Sequence, residues 1–256
     1  MKQMRVEYLY HSGTDLDIIN AAYASFSRVA TEWDDAKHPR LMRYLARGMS
    51  DKDYKELLES LEWLPSHLHG RAARMKYVSD VLEQYRHTPT HWSPFSHVSV
   101  SLRLKAPIAI HAQFMKHTVG FSHNTTSRRY VSSTPELFVP EFRTKPQDNI
   151  KQGSGTRLDE SQQEVALEQY NKACNHSIGV YEQMIKADIS PEQARFVLPQ
   201  GVMTEWQTTG SLAAWARLYN QRTDSHAQKE IQELAKMIGE IIQPLYPHAW
   251  DALVRS

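Results

Sequence analysis

His97-Val-Ser-Val-Ser-Leu-Arg-Leu-Lys-Ala-Pro107-Ile-Ala-Ile-His-Ala-Gln-Phe-Met115 changes its period in the middle, and that change decides the fold class. Val98, Val100, Leu102 and Leu104 alternate with Ser99, Ser101 and Arg103, the mark of a half-buried strand. Pro107 stands where a helix can begin, and Ile108, Ile110, Ala112, Phe114 and Met115 continue as a largely apolar helix. A strand running straight into a buried helix requires both kinds of element in the core.

The next residues turn polar. Within 113–130, Lys116, His117, Arg128 and Arg129 are interleaved with Ser122, Thr125, Thr126 and Ser127, and no Asp or Glu occurs. Two readings fit the stretch equally: a cradle for an anionic ligand, or a solvated basic loop.

Further out, helical spacing dominates. Residues 14–30 open on the candidate caps Thr14 and Asp15 and carry Ile18, Ile19, Ala22 and Phe26. Leu41, Tyr44 and Leu45, then Tyr54, Leu57, Leu58 and Leu61, continue in helical fashion. Residues 62–76 read as an irregular connection, and Tyr77–Tyr85 as a short helix. Residues 136–157, with Pro140, Pro146, Gly153 and Gly155, read as loop. A long helix is expected over 159–186, and a short one after Ser190-Pro191, ended by Pro199. A second strand is expected over 202–209, a helix from Gly210-Ser211 to Tyr219, and a strongly patterned helix over 224–243. The class is α+β and mostly helical, read as one domain over 1–256 with an insertion around 40–80.

Composition narrows function. Thirty Lys and Arg against 29 Asp and Glu leave no basic excess, which argues against a partner that is a nucleic-acid polymer or a membrane surface. No apolar run approaches the roughly 18 residues of a membrane span, and the first residues lack the apolar core of a signal peptide. A cytoplasmic protein is expected. The single cysteine, Cys174, excludes an internal disulfide framework and a cysteine-built zinc site, and reads as a packed helix residue. Neither Gly-x-Gly-x-x-Gly nor Gly-x-x-x-x-Gly-Lys occurs, and the histidines show no metal-binding spacing, so no metal is expected. Arg195 and Arg222 sit in further polar segments at element ends, where an arginine and free backbone N–H groups can grip one anion.

Four segments, in order over about 85–240, resemble the flavin-dependent thymidylate synthases. His91-Trp-Ser93-Pro-Phe-Ser-His97 is similar to that family's His-x-(Ser/Thr)-Pro-Phe-x-His. Gln113-Phe-Met-Lys116-His117-Thr118 and Asn124-Thr125-Thr-Ser127-Arg128-Arg129-Tyr130 are similar to Gln-x-x-Arg-His-Arg and Asn-Glu-x-Ser-x-Arg-Tyr. Ala194-Arg195-Phe-Val-Leu-Pro199 is similar to Ala-Arg-x-x-Leu-Pro, and Arg222-Thr-Asp-Ser-His226-Ala-Gln228 to Arg-x-Asp-x-His-Ala-Gln.

The resemblance implies a small antiparallel sheet among helices, and a homotetramer with active sites shared between subunits. It implies FAD as cofactor, NADPH and methylenetetrahydrofolate as co-substrates, and reductive methylation of dUMP to dTMP without a cysteine nucleophile. By match, Gln113, Lys116, Ser127, Arg128, Arg129, Arg195 and Arg222 bind dUMP, Arg222 also serving catalysis beside the ionised pyrimidine edge. Ser93, Lys116, His117, Thr118, Thr125, Ser211, Ala213 and Arg217 line FAD, and His91 and His226 lie near flavin and folate. The chain departs from the signature at Lys116, Thr118 and Thr125, and has eight residues rather than seven between Thr118 and Ser127. Lysine keeps the charge but loses the bidentate fork, and threonine loses both. Ser211-Leu-Ala213 stands where the family has Asn-x-Arg, and Arg217, one helical turn on, is expected to supply that missing flavin-site cation. The departures keep two alternatives open: a related flavoenzyme that hydroxymethylates another pyrimidine nucleotide, and an inactive nucleotide- or flavin-binding homologue.

Overall fold

The computed structural model describes residues 4–62, 70–85, 90–146 and 153–254, in two compact units. The larger unit, residues 1–11 with 99–242, is built on a four-stranded sheet in the order β1 (Arg5–Ser12), β2 (Ser99–Pro107), β4 (Met203–Ser211), β3 (Phe121–Thr125). β4 runs antiparallel to both β2 and β3, pairing Leu104 and Thr125 with its Trp206 from either side. Val100, Leu102 and Leu104 are fully buried, each contributing roughly 1.5–3 kcal/mol by leaving water.

Pro107 ends β2 and is the N-cap of α5 (Ile108–Phe114), as expected. Losing its N–H costs nothing at a helix start. Phe114 points into an aromatic core with Phe121, Trp206 and Trp215. A Cβ at Gly210 would overlap the Phe121 ring, so glycine is required on β4 where that ring crosses it. α8 (Leu212–Arg222) starts at Ser211, whose Oγ accepts from Ala214 N at 3.3 Å. α9 (Lys229–Ile242) buries Ile231, Leu234, Ala235, Ile238 and Ile242 along one stripe. The long α6 (Glu160–Lys186) is capped by Asp159, which accepts from Gln162 N at 2.8 Å, and α7 (Pro191–Ala194) follows.

The second unit, residues 12–98 with 243–256, contains α1 (Asp15–Tyr23), α2 (His38–Arg47), α3 (Asp51–Glu62), α4 (Arg71–Tyr85) and α10 (Pro247–Leu253). Thr14 and Asp17 fasten the start of α1: the carboxylate accepts from Thr14 N at 2.7 Å and its hydroxyl at 2.8 Å. Buried Asp15 accepts from His248 N at 2.9 Å and Ala249 N at 3.1 Å, closing the N-terminus of α10.

Several boundaries differ from expectation. α1 ends at Tyr23 rather than near residue 30. α4 begins at Arg71, inside the stretch read as irregular, and residues 63–69 of that stretch lie outside those described, as do 147–152 of the expected 136–157 loop. α9 starts at Lys229 rather than 224. β1, β3 and α10 were not anticipated from local pattern. Among the described residues no helix is long and apolar enough to cross a membrane, and no cluster of His, Cys, Asp and Glu could hold a metal ion.

Candidate functional site

β3 delivers the first site. Thr126 N extends the ladder to Glu205 O at 2.9 Å, and the chain then turns, with Tyr130 N bonding Ser127 O at 3.1 Å. Ser127 Oγ accepts from Arg129 N at 3.3 Å and from its Nε at 3.4 Å, while Arg128 Nη1 donates to Ser133 O at 2.6 Å. Arg195, at the end of α7, donates Nε to Glu192 O at 3.1 Å. Ser127, Arg128, Arg129 and Arg195 line one cleft of about 430 Å³, within the usual range for small-molecule sites. Its described lining contains no carboxylate, and none of the three arginines forms an ion pair among the described residues. Three guanidiniums without an ion pair around one cavity have the chemistry to receive an anion.

Two more residues share that cleft. Thr125 lines it beside Ser127, and His111 reaches it from α5, with Nε2 at 3.1 Å from Thr125 Oγ1. The His111 ring meets Trp206 edge to face at 4.8 Å. Burial, helped by the nearby His123, holds the His111 pKa below its ordinary value. Sequence reasoning did not select His111. A lone histidine in an apolar run carries no signal until β3 brings Thr125 alongside.

A second group forms where α5 and α8 end. Arg222 Nε donates to His117 Nε2 at 2.8 Å and Nη2 to Gln113 O at 3.2 Å. Gln113 Nε2 in turn donates to Gln228 Oε1. Arg222 lies in the last turn of α8, not before the start of the following helix, so it meets the negative rather than the positive end of a helix dipole. His117 is buried, and burial first, then the charges of Arg222 and Arg217 and nearby His123, lower its pKa to about 4. His123 Nε2 donates to His117 O at 3.0 Å and its Nδ1 accepts from Thr208 Oγ1 at 3.0 Å, fixing the turn from beneath.

A third group surrounds the first turn of α8. Ser211 N donates to Gly120 O at 3.0 Å, and Arg217 donates to Val119 O. Gly120 has φ +80°, and a Cβ there would lie 2.9 Å from Ala214 Cβ, so the 116–120 turn seats closely only without a side chain. Lys116 and Thr118 are exposed on this turn, Arg217 is exposed on α8, and Ala213 is half-buried. His226 is exposed, with its N and Nδ1 on Asp224 Oδ1 at 2.8 and 2.9 Å.

In the second unit, His91 and Ser93 line a separate cleft of about 440 Å³ with Tyr23, Phe26 and Tyr44. Tyr44 stacks on His91 at 5.9 Å, and His91 N is anchored to Leu45 O at 2.9 Å. The aromatic walls were not singled out in the sequence, because Tyr23, Phe26 and Tyr44 fall at helical core spacing.

Residues 9–248 match the family model described as thymidylate synthase complementing protein. The flavin-dependent thymidylate synthase of Thermosipho africanus is 31% identical over 165 residues, 64% of this chain and 72% of that one. That of Thermotoga neapolitana is 27% identical over 250 residues, 98% of this chain and 90% of its own. The crystal structure of a UMP/dUMP methylase PolB from Streptomyces cacaoi, bound with 5-Br dUMP, has the same fold. Its TM-score is 0.73 at 22% identity, covering 98% of this chain and 94% of that one. With nearly its whole length under one family model, the chain belongs to the thymidylate synthase complementing family, the methyl-transferring flavin-dependent thymidylate synthases.

Proposed function

We propose that this protein is an FAD-dependent thymidylate synthase that methylates dUMP to dTMP, with methylenetetrahydrofolate as carbon donor and NADPH as reductant. The observation that carries this reading is the cleft in which Ser127, Arg128, Arg129 and Arg195 converge without a carboxylate. A phosphomonoester is the ligand such a lining suits, and a nucleoside monophosphate suits the cavity's volume. PolB, bound with 5-Br dUMP, supports the choice of nucleotide.

The three arginines hold phosphate and orient the nucleotide. Arg222 is pinned through Nε and Nη2, and its Nη1 has no partner among the described residues. That leaves a donor for the pyrimidine edge, where a fixed cation stabilises charge developing in the ring. Burial lowers the Arg222 pKa from a value so high that the group stays charged at neutral pH. Gln113 sets this arginine through its carbonyl and adds a second polar group for the nucleotide.

The third group fits the diphosphate of FAD. The first turn of α8 offers backbone N–H groups, Arg217 and Lys116 add positive charge, and Gly120 lets the turn approach. Lys116, His117, Thr118, Ser211, Ala213 and Arg217 would hold the cofactor there. FAD held by these residues and reduced by NADPH would supply the hydride equivalent that the methyl group needs. We further read the protein as one catalytic domain carrying an addition around 40–80, as a homotetramer with shared sites, and as cytoplasmic.

The test is a spectrum and a product. The purified protein should be yellow and should form dTMP from dUMP when folate and NADPH are supplied; a colourless protein that leaves dUMP unchanged would contradict it. One observation favours a second reading. Thr125, which stands in place of the signature's glutamate, lines the nucleotide cleft with His111. A changed cleft wall suits a changed product, such as a hydroxymethylated pyrimidine nucleotide, and the mass of the product separates the two.

A further inference from the structure

The arginines of the nucleotide cleft explain phosphate binding and nothing about the base, since every nucleotide carries a phosphate. Apart from them, one titratable side chain lines the cleft among the described residues, and it is His111. Its place is set by the backbone. α5 leaves β2 with Ile108 N on Val202 O at 2.9 Å and Ala109 N on Gln200 O at 3.2 Å, which brings the next turn to the cavity wall. Trp206 backs the imidazole at 4.8 Å, and Thr125 Oγ1 holds Nε2 at 3.1 Å.

The opposite ring nitrogen, Nδ1, has no partner among the described residues. Burial keeps the ring neutral, so one nitrogen bears hydrogen and the other accepts. The threonine hydroxyl can either donate or accept. When Thr125 donates to Nε2, Nδ1 is a donor; when Thr125 accepts, Nδ1 is an acceptor. A fixed ring whose free nitrogen can take either role matches a pyrimidine edge, which offers carbonyl acceptors beside an N–H or amino donor.

Resting on the nucleotide-binding reading above, we propose that His111 reads the pyrimidine base in this cleft, hydrogen-bonding its polar edge through Nδ1 while Thr125 holds Nε2. It is a specificity-determining residue, and the site accepts both 4-oxo and 4-amino pyrimidine deoxynucleotides. The two bind within about tenfold of each other, because reversing the hydroxyl restores a hydrogen bond in either case.

Calorimetric titration of the purified protein with dUMP, dCMP and 2-deoxyribose 5-phosphate tests this. The proteins are the wild type, Arg195→Ala, and His111→Phe, His111→Asn and His111→Gln, with melting midpoints checking their folding. An Asn amide lies near the place of Nδ1 and a Gln amide near that of Nε2. His111→Phe should weaken dUMP and dCMP by about tenfold or more and leave the base-free sugar phosphate unchanged. His111→Asn should recover most of the loss, and His111→Gln little of it. Equal losses for the sugar phosphate, or rescue by Gln as good as by Asn, would show a brace for Thr125 and overturn the proposal. If Arg195→Ala weakens every ligand while all His111 variants behave as wild type, the His111 assignment alone falls. If the wild type binds none of the three, the nucleotide reading fails and takes His111 with it.

Discussion

Arg222 Nε donates to His117 Nε2 across 2.8 Å, so a guanidinium leans on an imidazole that must keep that nitrogen unprotonated. The pair joins the end of α8 to the turn after α5, in the segment whose sequence first suggested an anion cradle. Burial is the first reason the His117 pKa falls to about 4, and the second is that protonating it would break this hydrogen bond and set two cations face to face.

That depression has a thermodynamic sign. Between about 4 and the ordinary 6.5, the unfolded chain binds a proton at this histidine and the folded chain does not. Stability at this residue is therefore full above about pH 6.5 and is lost as pH falls toward 4. Going from pH 7 to pH 5 should cost about 1–2 kcal/mol through His117. His117→Gln, which keeps an acceptor for Arg222, should show a shallower decline in urea midpoint over that range. Identical slopes for the two proteins would place the effect elsewhere.

Arg129 and Arg195 approach one cleft from different elements and have no carboxylate to satisfy them among the described residues. Replacing either with alanine should raise the dUMP dissociation constant by about 10–100-fold, the loss of a charge-assisted contact of about 1.5–3 kcal/mol. Flavin content should not change, and added salt should weaken the wild type more than either variant. Equilibrium dialysis with labelled dUMP at two ionic strengths measures both effects.

Arg217 holds the Val119 carbonyl and stands beside the first turn of α8. Arg217→Ala should release FAD during gel filtration, with affinity down by about 1.5–3 kcal/mol, while dUMP affinity stays within about twofold. Unchanged flavin occupancy would sink the idea that this arginine replaces the charge missing at Ala213.

A methyl group at Gly210 would overlap the Phe121 ring, and Trp215 stands close behind. Gly210→Ala should lower stability by about 1–3 kcal/mol, the usual cost of overpacking, read as a fall in melting temperature. Gly70→Ala has open space around its added carbon, although its φ of +91° is strained, and provides a backbone-only comparison.

Much of the fold was legible because some segments carry strong periodicity. β2 alternates cleanly, Asp159 marks the start of α6, and the α9 stripe follows a 3.6 period. β1 lies at the sheet edge and is exposed on most of its length, so no alternation marks it. β3, Phe-Ser-His-Asn-Thr, has little intrinsic strand preference and exists through pairing with β4. The long helix expected from 224 begins at 229 because the Asp224 carboxylate takes the His226 N–H and holds a turn. Among site residues, the arginines were legible by charge and motif. His111 was not, since its meaning depends on Thr125, 14 positions away and brought near only by the fold.

The most direct measurement is mass spectrometry of the nucleotide formed when the purified protein is incubated with dUMP, methylenetetrahydrofolate and NADPH. Conversion of dUMP to dTMP, absent when NADPH is withheld, is the predicted result. Recovery of unchanged dUMP from flavin-loaded protein, or of a hydroxymethylated nucleotide, would contradict it.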